Sequence, residues 1–188
     1  MVAAVWERSQ SRRRSARIGA SGYRVARMSD AAHHLAIAPA PLAGADAQVL
    51  IARLDAELTE RYPNPAHRHF GLTEEQVTGA SGVFLVATLD GEPVGCGALR
   101  RLDDGAGELK RMFVAPEARR LGVGRGILGE LERHARALGL RRLVLETGDR
   151  QHEATAMYER AGFGRIPCFG EYEHSSASVC MEKSLDPG

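Results

Sequence analysis

Apolar and polar positions along the chain alternate first with the period of a strand, then with that of a helix, and repeat this exchange to the end. His34–Ala38 reads as a short first strand, ended by Pro39 and Pro41. Asp46 is placed to cap a helix whose apolar positions Val49, Leu50, Leu54 and Leu58 recur at helical spacing to about Tyr62. Pro63 and Pro65 then force a loop over 62–71. Thr73 and Gln76 have the spacing of a capping box ahead of a short second helix. Val83–Leu89 and Val94–Arg101 are predicted strands, joined by Asp90-Gly91-Glu92-Pro93 with hairpin turn chemistry. Asp103, Asp104 and Gly105 turn the chain into a third strand, Glu108–Val114, closed by Pro116. A long helix is predicted over Arg119–Leu138, with Ile127, Leu128, Leu131, Ala135 and Leu138 on one face and Gly139 as its stop. Leu143–Leu145 reads as a short buried strand and Gln151–Ala161 as a helix ended by Gly162. Phe163–Phe169 and Ser178–Lys183 read as two closing strands. A meander, a long helix, a strand, a helix and a hairpin predict an α+β (mixed α/β) domain around one mostly antiparallel sheet flanked by helices.

Composition narrows this to one soluble domain. The chain has 188 residues, 44% of them hydrophobic, which suffices for a single core of ordinary size. Its apolar runs are strand-sized, well short of the roughly 18–20 residues of a membrane helix, so no membrane partner is expected. The net charge of +1 conceals an asymmetry. Residues 1–27 carry seven arginines against one acid, Glu7, and the rest is slightly acidic. Segment 1–27 has no helical or strand period and no apolar core of a secretory signal. It reads as a disordered basic tail or an over-extended start, with Met28 as the initiator and 28–188 as the domain. Its Arg- and Ser-rich, acid-poor character also resembles an organelle transit peptide. An acidic domain argues against a dedicated nucleic-acid partner. The three cysteines, Cys96, Cys168 and Cys180, lack a CxxC spacing and are read as reduced thiols of a cytoplasmic protein.

The most informative stretch is Arg119-Arg120-Leu121-Gly122-Val123-Gly124-Arg125-Gly126. Gly124, Gly126 and Gly129 literally satisfy GxGxxG, and Glu146 lies beyond them at a strand end. A dinucleotide fingerprint, however, starts directly at the strand, whereas Ala115–Leu121 intervene here, and the repeated parallel units are missing. A Gly-Lys-Ser/Thr phosphate loop is absent. What remains is a strand, a short loop and a helix that begins among glycines. Glycine lets backbone N–H groups approach an anion closely, and the first four N–H groups of a helix have no partner inside it. Arg119, Arg120 and Arg125 add positive charge.

Arg119-x-x-Gly122-x-Gly124, after a strand and Pro116, resembles the acyl-CoA-binding motif of the GNAT superfamily of N-acetyltransferases. Downstream, Ala154, Met157, Tyr158, Gly162 and Phe163 resemble its second motif, NxxAxxLYxxxGF, in the same order and separation. The resemblance covers about residues 30–185. It implies a V-splayed central sheet with acetyl-CoA, as acyl-donor co-substrate, in the gap. It further implies that the backbone of Met112, Phe113 and Val114 pairs with the pantetheine arm. The N–H groups of Arg120, Leu121, Gly122, Val123, Gly124 and Arg125, beside Arg119, would hold the pyrophosphate. Tyr158 matches the tyrosine near the thioester sulfur. Gln151 stands where the family often has Asn, with the same donor and acceptor on a longer arm.

N-acetylation needs a neutral amine, and an alkyl amine with a pKa of about 10 is mostly protonated at neutral pH. A base must take its proton. The strand that splays away can offer an unpaired N–H near Val114 to the oxyanion. Tyr158 suits the proton donor to the leaving thiolate. Glu108, 11 residues before Arg119, resembles in position the glutamate base of the histone-acetylating branch and is the first choice of base. Its structural alternative is a strand-edge glutamate paired with Arg101 or Lys110. Glu146 is the second choice. Tyr62, His67, His69 and Phe70, in the loop after the first helix, fall where the family places its acceptor wall, with Arg111, Glu171 and Tyr172 as further wall candidates. His67-x-His69 lacks nearby acidic or thiol partners, and no metal is expected.

The expected function is therefore transfer of an acetyl group from acetyl-CoA to a primary amine of a small molecule, by direct attack in a ternary complex. Acetylation of a protein lysine or N-terminus, and a non-catalytic acyl-CoA sensor, are the alternatives. A homodimer through the C-terminal strands is compatible with the pattern.

Overall fold

The computed structural model describes residues 33–64, 71–103 and 105–185. Segment 1–27 and the loop residues His67, His69 and Phe70 lie outside them. Strand β1 (Leu35–Pro39) leads into helix α1 (Ala45–Arg61). After two 3-10 turns come β2 (Gly82–Leu89), β3 (Glu92–Arg101) and β4 (Ala106–Val114). Helix α2 (Val123–Ala137), β5 (Arg142–Gly148), α3 (His152–Arg160), β6 (Gly164–Ile166) and β7 (Ser178–Ser184) follow. The sheet runs β1-β2-β3-β4-β5-β7-β6. Every neighbouring pair is antiparallel except β4 and β5, which α2 joins as parallel strands.

The β2–β3 hairpin forms at Asp90-Gly91, both with positive φ (54° and 93°), as an Asp-Gly turn requires. The apolar stripe of α2 is buried at Ile127, Leu128, Leu131 and Ala135. Alanines and glycines in the facing strands let it approach closely: a Cβ on Gly95 or Gly97 would press on Ile127. α1 buries Leu50 and Leu54 against the other face, where Arg53 stacks over the ring of Phe113 at 5.8 Å.

Several elements differ from the sequence reading for identifiable reasons. Val49 is 54% exposed, because the face of α1 turned to the sheet carries Leu50, Leu54 and the half-buried Leu58. Gly44 is the N-cap of α1, which places Asp46 in the first turn, where a carboxylate still favours the helix dipole. The Thr73–Gln76 capping box is present but heads only a 3-10 turn, Glu74–Val77, ended by Thr78 in the extended conformation. Pro39 belongs to β1, an edge strand that tolerates a missing N–H. Pro167 limits β6 to Gly164–Ile166. α2 starts at Val123, and Arg119–Gly122 form a loop ahead of it.

Candidate active site

The site follows from a failure of pairing. β4 and β5 pair only from Ala106↔Arg142 to Leu109↔Leu145. Beyond that level β4 continues to Val114 beside β3, and β5 continues to Gly148 beside β7. Each arm keeps its outer neighbour while the two part from one another. A bulge in β4 accounts for the divergence. Ala98 pairs with Lys110 and Cys96 with Phe113, so β4 carries one extra residue there. Arg111 takes the left-handed conformation (φ 57°), which costs a non-glycine residue about 1–2 kcal/mol. Its guanidinium pairs with Asp55 of α1 at 2.5 Å, and the Cys96 thiol donates to its carbonyl at 3.3 Å.

The V between the strands is an open cleft with room for about 100 Å³ of solvent. β4 contributes Leu109 to Met112, β5 contributes Glu146 to Gly148, and α1 contributes Leu54, Leu58 and Tyr62. Gln151, Ala154 and Tyr158 of the α3 segment and Tyr172 complete the wall.

The glycine loop sits at the end of β4. A Cβ on Gly124 would meet Val114 at 3.4 Å and Met157 of α3 at 3.1 Å. Arg120 (φ 66°) and Gly122 (φ 85°) both take the left-handed conformation and turn the chain into α2. The first helical hydrogen bond from this turn is Gly126 N–H to the Gly122 carbonyl. Among the described residues, the N–H groups of Arg120, Leu121, Gly122, Val123, Gly124 and Arg125 reach no backbone acceptor. This is a donor set of the kind that holds a pyrophosphate, so the chain fits acetyl-CoA on its own geometry. Arg119 plays a different part from the one expected. Its guanidinium donates to the Val114 carbonyl at 3.0 Å and to Glu57 at 2.6 Å, so it braces the loop rather than adding free charge. Arg120, Leu121 and Arg125 are exposed. Gly126 serves packing, since a Cβ there would lie 2.8 Å from Ile37. Of the three predicted β4 contacts, Met112 lines the cleft, while Phe113 is buried under Arg53 and Val114 gives its carbonyl to Arg119. Gln151 lines the cleft at the start of α3.

Tyr158 lies on the cleft wall and is buried, with its ring edge-on to Phe163. Burial, and then the charge of Glu146, push its hydroxyl pKa up, so it stays protonated. Glu146 lies on the same wall and accepts a hydrogen bond from the Ser178 hydroxyl at 2.7 Å.

Glu108 is placed differently from an exposed strand-edge carboxylate. It is fully buried on a central strand and is absent from the cleft wall. Arg100, its cross-strand partner, donates to it at 2.6 Å, and the Tyr172 hydroxyl donates to its other oxygen at 2.7 Å. Lys110, two residues along the same face, donates to Tyr172 at 2.7 Å and to Glu171 at 3.3 Å. Burial and the neighbouring Glu108 push the Tyr172 pKa up as well. Lys110 and Thr147 are wall residues that the sequence reading passed over. Lys110 did leave a signal, as one of two lysines against 23 arginines.

The cysteines correct the sequence reading. Cys168 and Cys180 form a disulfide with their Cα atoms 5.1 Å apart, and Cys96 alone is a buried free thiol. Residue 168 leaves β6 just past Ile166, which pairs with Cys180, and this brings the two together. The cysteine count therefore no longer argues for a reducing compartment. Among the described residues no helix is long and apolar enough to cross a membrane.

Comparison with known proteins agrees with this geometry. A family model described as the acetyltransferase (GNAT) family matches residues 50–163. A protein of Azospirillum brasilense named IAA acetyltransferase is 41% identical over 138 residues, covering 72% of this chain and 88% of its own. A Bacillus subtilis protein named uncharacterized N-acetyltransferase YsnE is 34% identical over 124 residues, covering 65% of this chain and 82% of its own. A solved structure from Klebsiella pneumoniae, described as an acyl-CoA N-acyltransferase, superposes with a TM-score of 0.69 at 34% identity, covering 80% of this chain and 97% of that one.

Proposed function

The chain belongs to the GNAT acetyltransferase family and is an N-acetyltransferase, and from that premise we propose that it acetylates the primary amine of a small molecule by direct attack in a ternary complex. The observation that carries this reading is the parting of β4 and β5, which opens a cleft whose wall bears Tyr158 and Glu146, while the glycine loop follows the end of β4. Acetyl-CoA supplies the activated acetyl thioester. The N–H groups of Arg120 to Arg125 hold its pyrophosphate, and the part of β4 that no longer pairs with β5, together with Gln151, offers partners to the pantetheine amides. Glu146, on the wall, takes the proton of the incoming ammonium, directly or through one water. It replaces Glu108 in that role, because Glu108 has both oxygens engaged behind Tyr172 and Lys110. Tyr158, kept protonated by burial, holds the proton that the leaving sulfur needs. Side chains of α1 and Tyr172 line the cleft, and we read this wall as the acceptor side, which supports a small amine over a lysine in a protein.

The test is release of CoA thiol from acetyl-CoA with amino acids, polyamines, aminoglycosides and lysine peptides. Turnover on a small-amine class is expected. Tyr158→Phe is expected to lower kcat on the order of 100-fold or more, with acetyl-CoA affinity intact. Acetyl-CoA binding without turnover on any class would refute the catalytic reading, and preferred turnover of peptides would refute the small acceptor.

A further inference from the structure

Helix α1 ends at its C-cap, Tyr62, and Tyr62 lines the cleft. The residue is buried, and a buried tyrosine hydroxyl calls for a partner. It has one 88 residues away in the chain, where the backbone N–H of Arg150 donates to it at 2.7 Å. The Arg150 guanidinium donates to the Arg61 carbonyl at 3.1 Å and lies over the Tyr62 ring at 5.8 Å. Main chain and side chain of one residue are thus both fastened to the end of α1.

Tyr62 also accounts for Gly148, the last residue of β5. Gly148 has no positive φ, so backbone strain does not demand a glycine there. Space does: a Cβ would run into the Tyr62 hydroxyl and lie 2.9 Å from its Cε2. The turn that starts at Gly148 is held at further points. The Asp149 N–H donates to the Ala177 carbonyl at 2.7 Å, and the Gln151 N–H to the Gly148 carbonyl at 3.0 Å. Turn 148–151 is therefore clamped between α1 and the segment before β7.

The turn delivers Gln151. Gln151 is the N-cap of α3, makes no side-chain cap bond and lines the cleft. Its amide is not spent on the helix it starts. Ordering a long glutamine side chain around a ligand is costly in entropy, and a backbone already held still keeps that cost to the side chain alone.

Building on the acetyltransferase reading, we propose that Tyr62 is a positioning residue for the acyl donor: its hydroxyl fixes the turn from which Gln151 meets the pantetheine arm of acetyl-CoA. The helix read as the acceptor side and the turn that serves the donor are then one clamped unit, with Tyr62 as the joint. The Tyr62 ring fills the space beside Gly148 and the hydroxyl supplies the hold, so substitution can separate the two.

The experiment measures, by calorimetry, binding of acetyl-CoA and of adenosine 3′-phosphate 5′-diphosphate, the same nucleotide without its pantetheine arm. Tyr62→Phe keeps the ring and removes the hydroxyl. It is expected to weaken acetyl-CoA binding roughly three- to tenfold, as one lost hydrogen bond would, and to leave the truncated nucleotide unchanged. Gln151→Ala is expected to weaken acetyl-CoA binding in the wild type and to do so much less in the Tyr62→Phe background. Gly148→Ala, whose methyl displaces the hydroxyl, is expected to reproduce the signature of Tyr62→Phe. Unchanged acetyl-CoA affinity in Tyr62→Phe would overturn the proposal. So would an equal loss for both ligands, which would make Tyr62 a structural residue only, and so would additive losses for Tyr62→Phe and Gln151→Ala. Amide hydrogen exchange in the ligand-free protein reads the hold itself. The Arg150 N–H should exchange faster in Tyr62→Phe, and unchanged exchange would overturn the proposal whatever the ligands do. A wild type that binds neither ligand would instead refute the acetyltransferase reading.

Discussion

Substituting Gly97 by alanine tests how the bulge shapes the cleft. Gly97 lies on β3 opposite the extra residue of β4 and has ordinary backbone angles, so alanine adds only a methyl group. That methyl would sit 2.6 Å from the Met112 sulfur, 2.7 Å from Ile127 Cγ2 and 3.1 Å from Leu131. Met112 is flexible and lines the cleft, so it can give way toward that space. Ile127 is fully buried and β-branched on a helix, and has essentially one rotamer. Overpacking of this kind costs about 1–3 kcal/mol. Stiffening of the unfolded chain offsets about 0.4–1 kcal/mol of that. A net loss of about 1–2 kcal/mol corresponds, for a chain of this size, to a Tm lower by roughly 2–8 °C. The displaced Met112 narrows the cleft, so KM for acetyl-CoA should rise several-fold. Gly129→Ala is the control of opposite sign: nothing lies within 4 Å of its added Cβ, and it is interior to α2. It should gain about 0.5–1 kcal/mol with kinetics unchanged. Differential scanning calorimetry and steady-state kinetics read both. A Gly97→Ala protein with wild-type Tm and KM would refute the claim that the bulge presses Met112 against β3.

Two further outcomes follow from the buried polar groups. Glu108→Gln removes the countercharge of Arg100 and should lose about 3–5 kcal/mol of stability by comparison with broken buried pairs, while kcat of the folded protein changes little. A hundredfold fall in kcat at unchanged Tm would return the base role to Glu108. Burial pushes the Cys96 thiol up to about 12 from an ordinary 9.0. The unfolded chain therefore binds fewer protons between these values, and the stability from this group is full below pH 9 and lost as pH rises through 12. Denaturant midpoints at pH 8 and 10.5 should fall less in Cys96→Ala than in the wild type, and equal falls would contradict this.

What the sequence made legible is local, and what it hid depends on register. The stripe of α2, the Asp90-Gly91 turn and the strand-loop-helix around Gly122 follow from residues within one turn of each other. The pairing of Glu108 does not. Lys110 does form an ion pair with it at 3.8 Å, but the register sets Arg100 rather than Arg101 opposite it. One residue along, Arg101 falls on the other face, where it bonds the carbonyls of Ala80 and Leu138. The bulge is hidden for the same reason. No glycine marks Arg111, and its left-handed backbone is held by Asp55, 56 residues away, and by Cys96. The glycines show the converse error. Gly124, Gly126 and Gly129 spell one motif, but Gly124 fits between β4 and α3, Gly126 lets α2 meet β1, and a Cβ on Gly129 would meet nothing within 4 Å. A motif is read one residue at a time by its neighbours in space. Here those neighbours are set by the level at which β4 and β5 cease to pair, which is also the level at which the cleft opens.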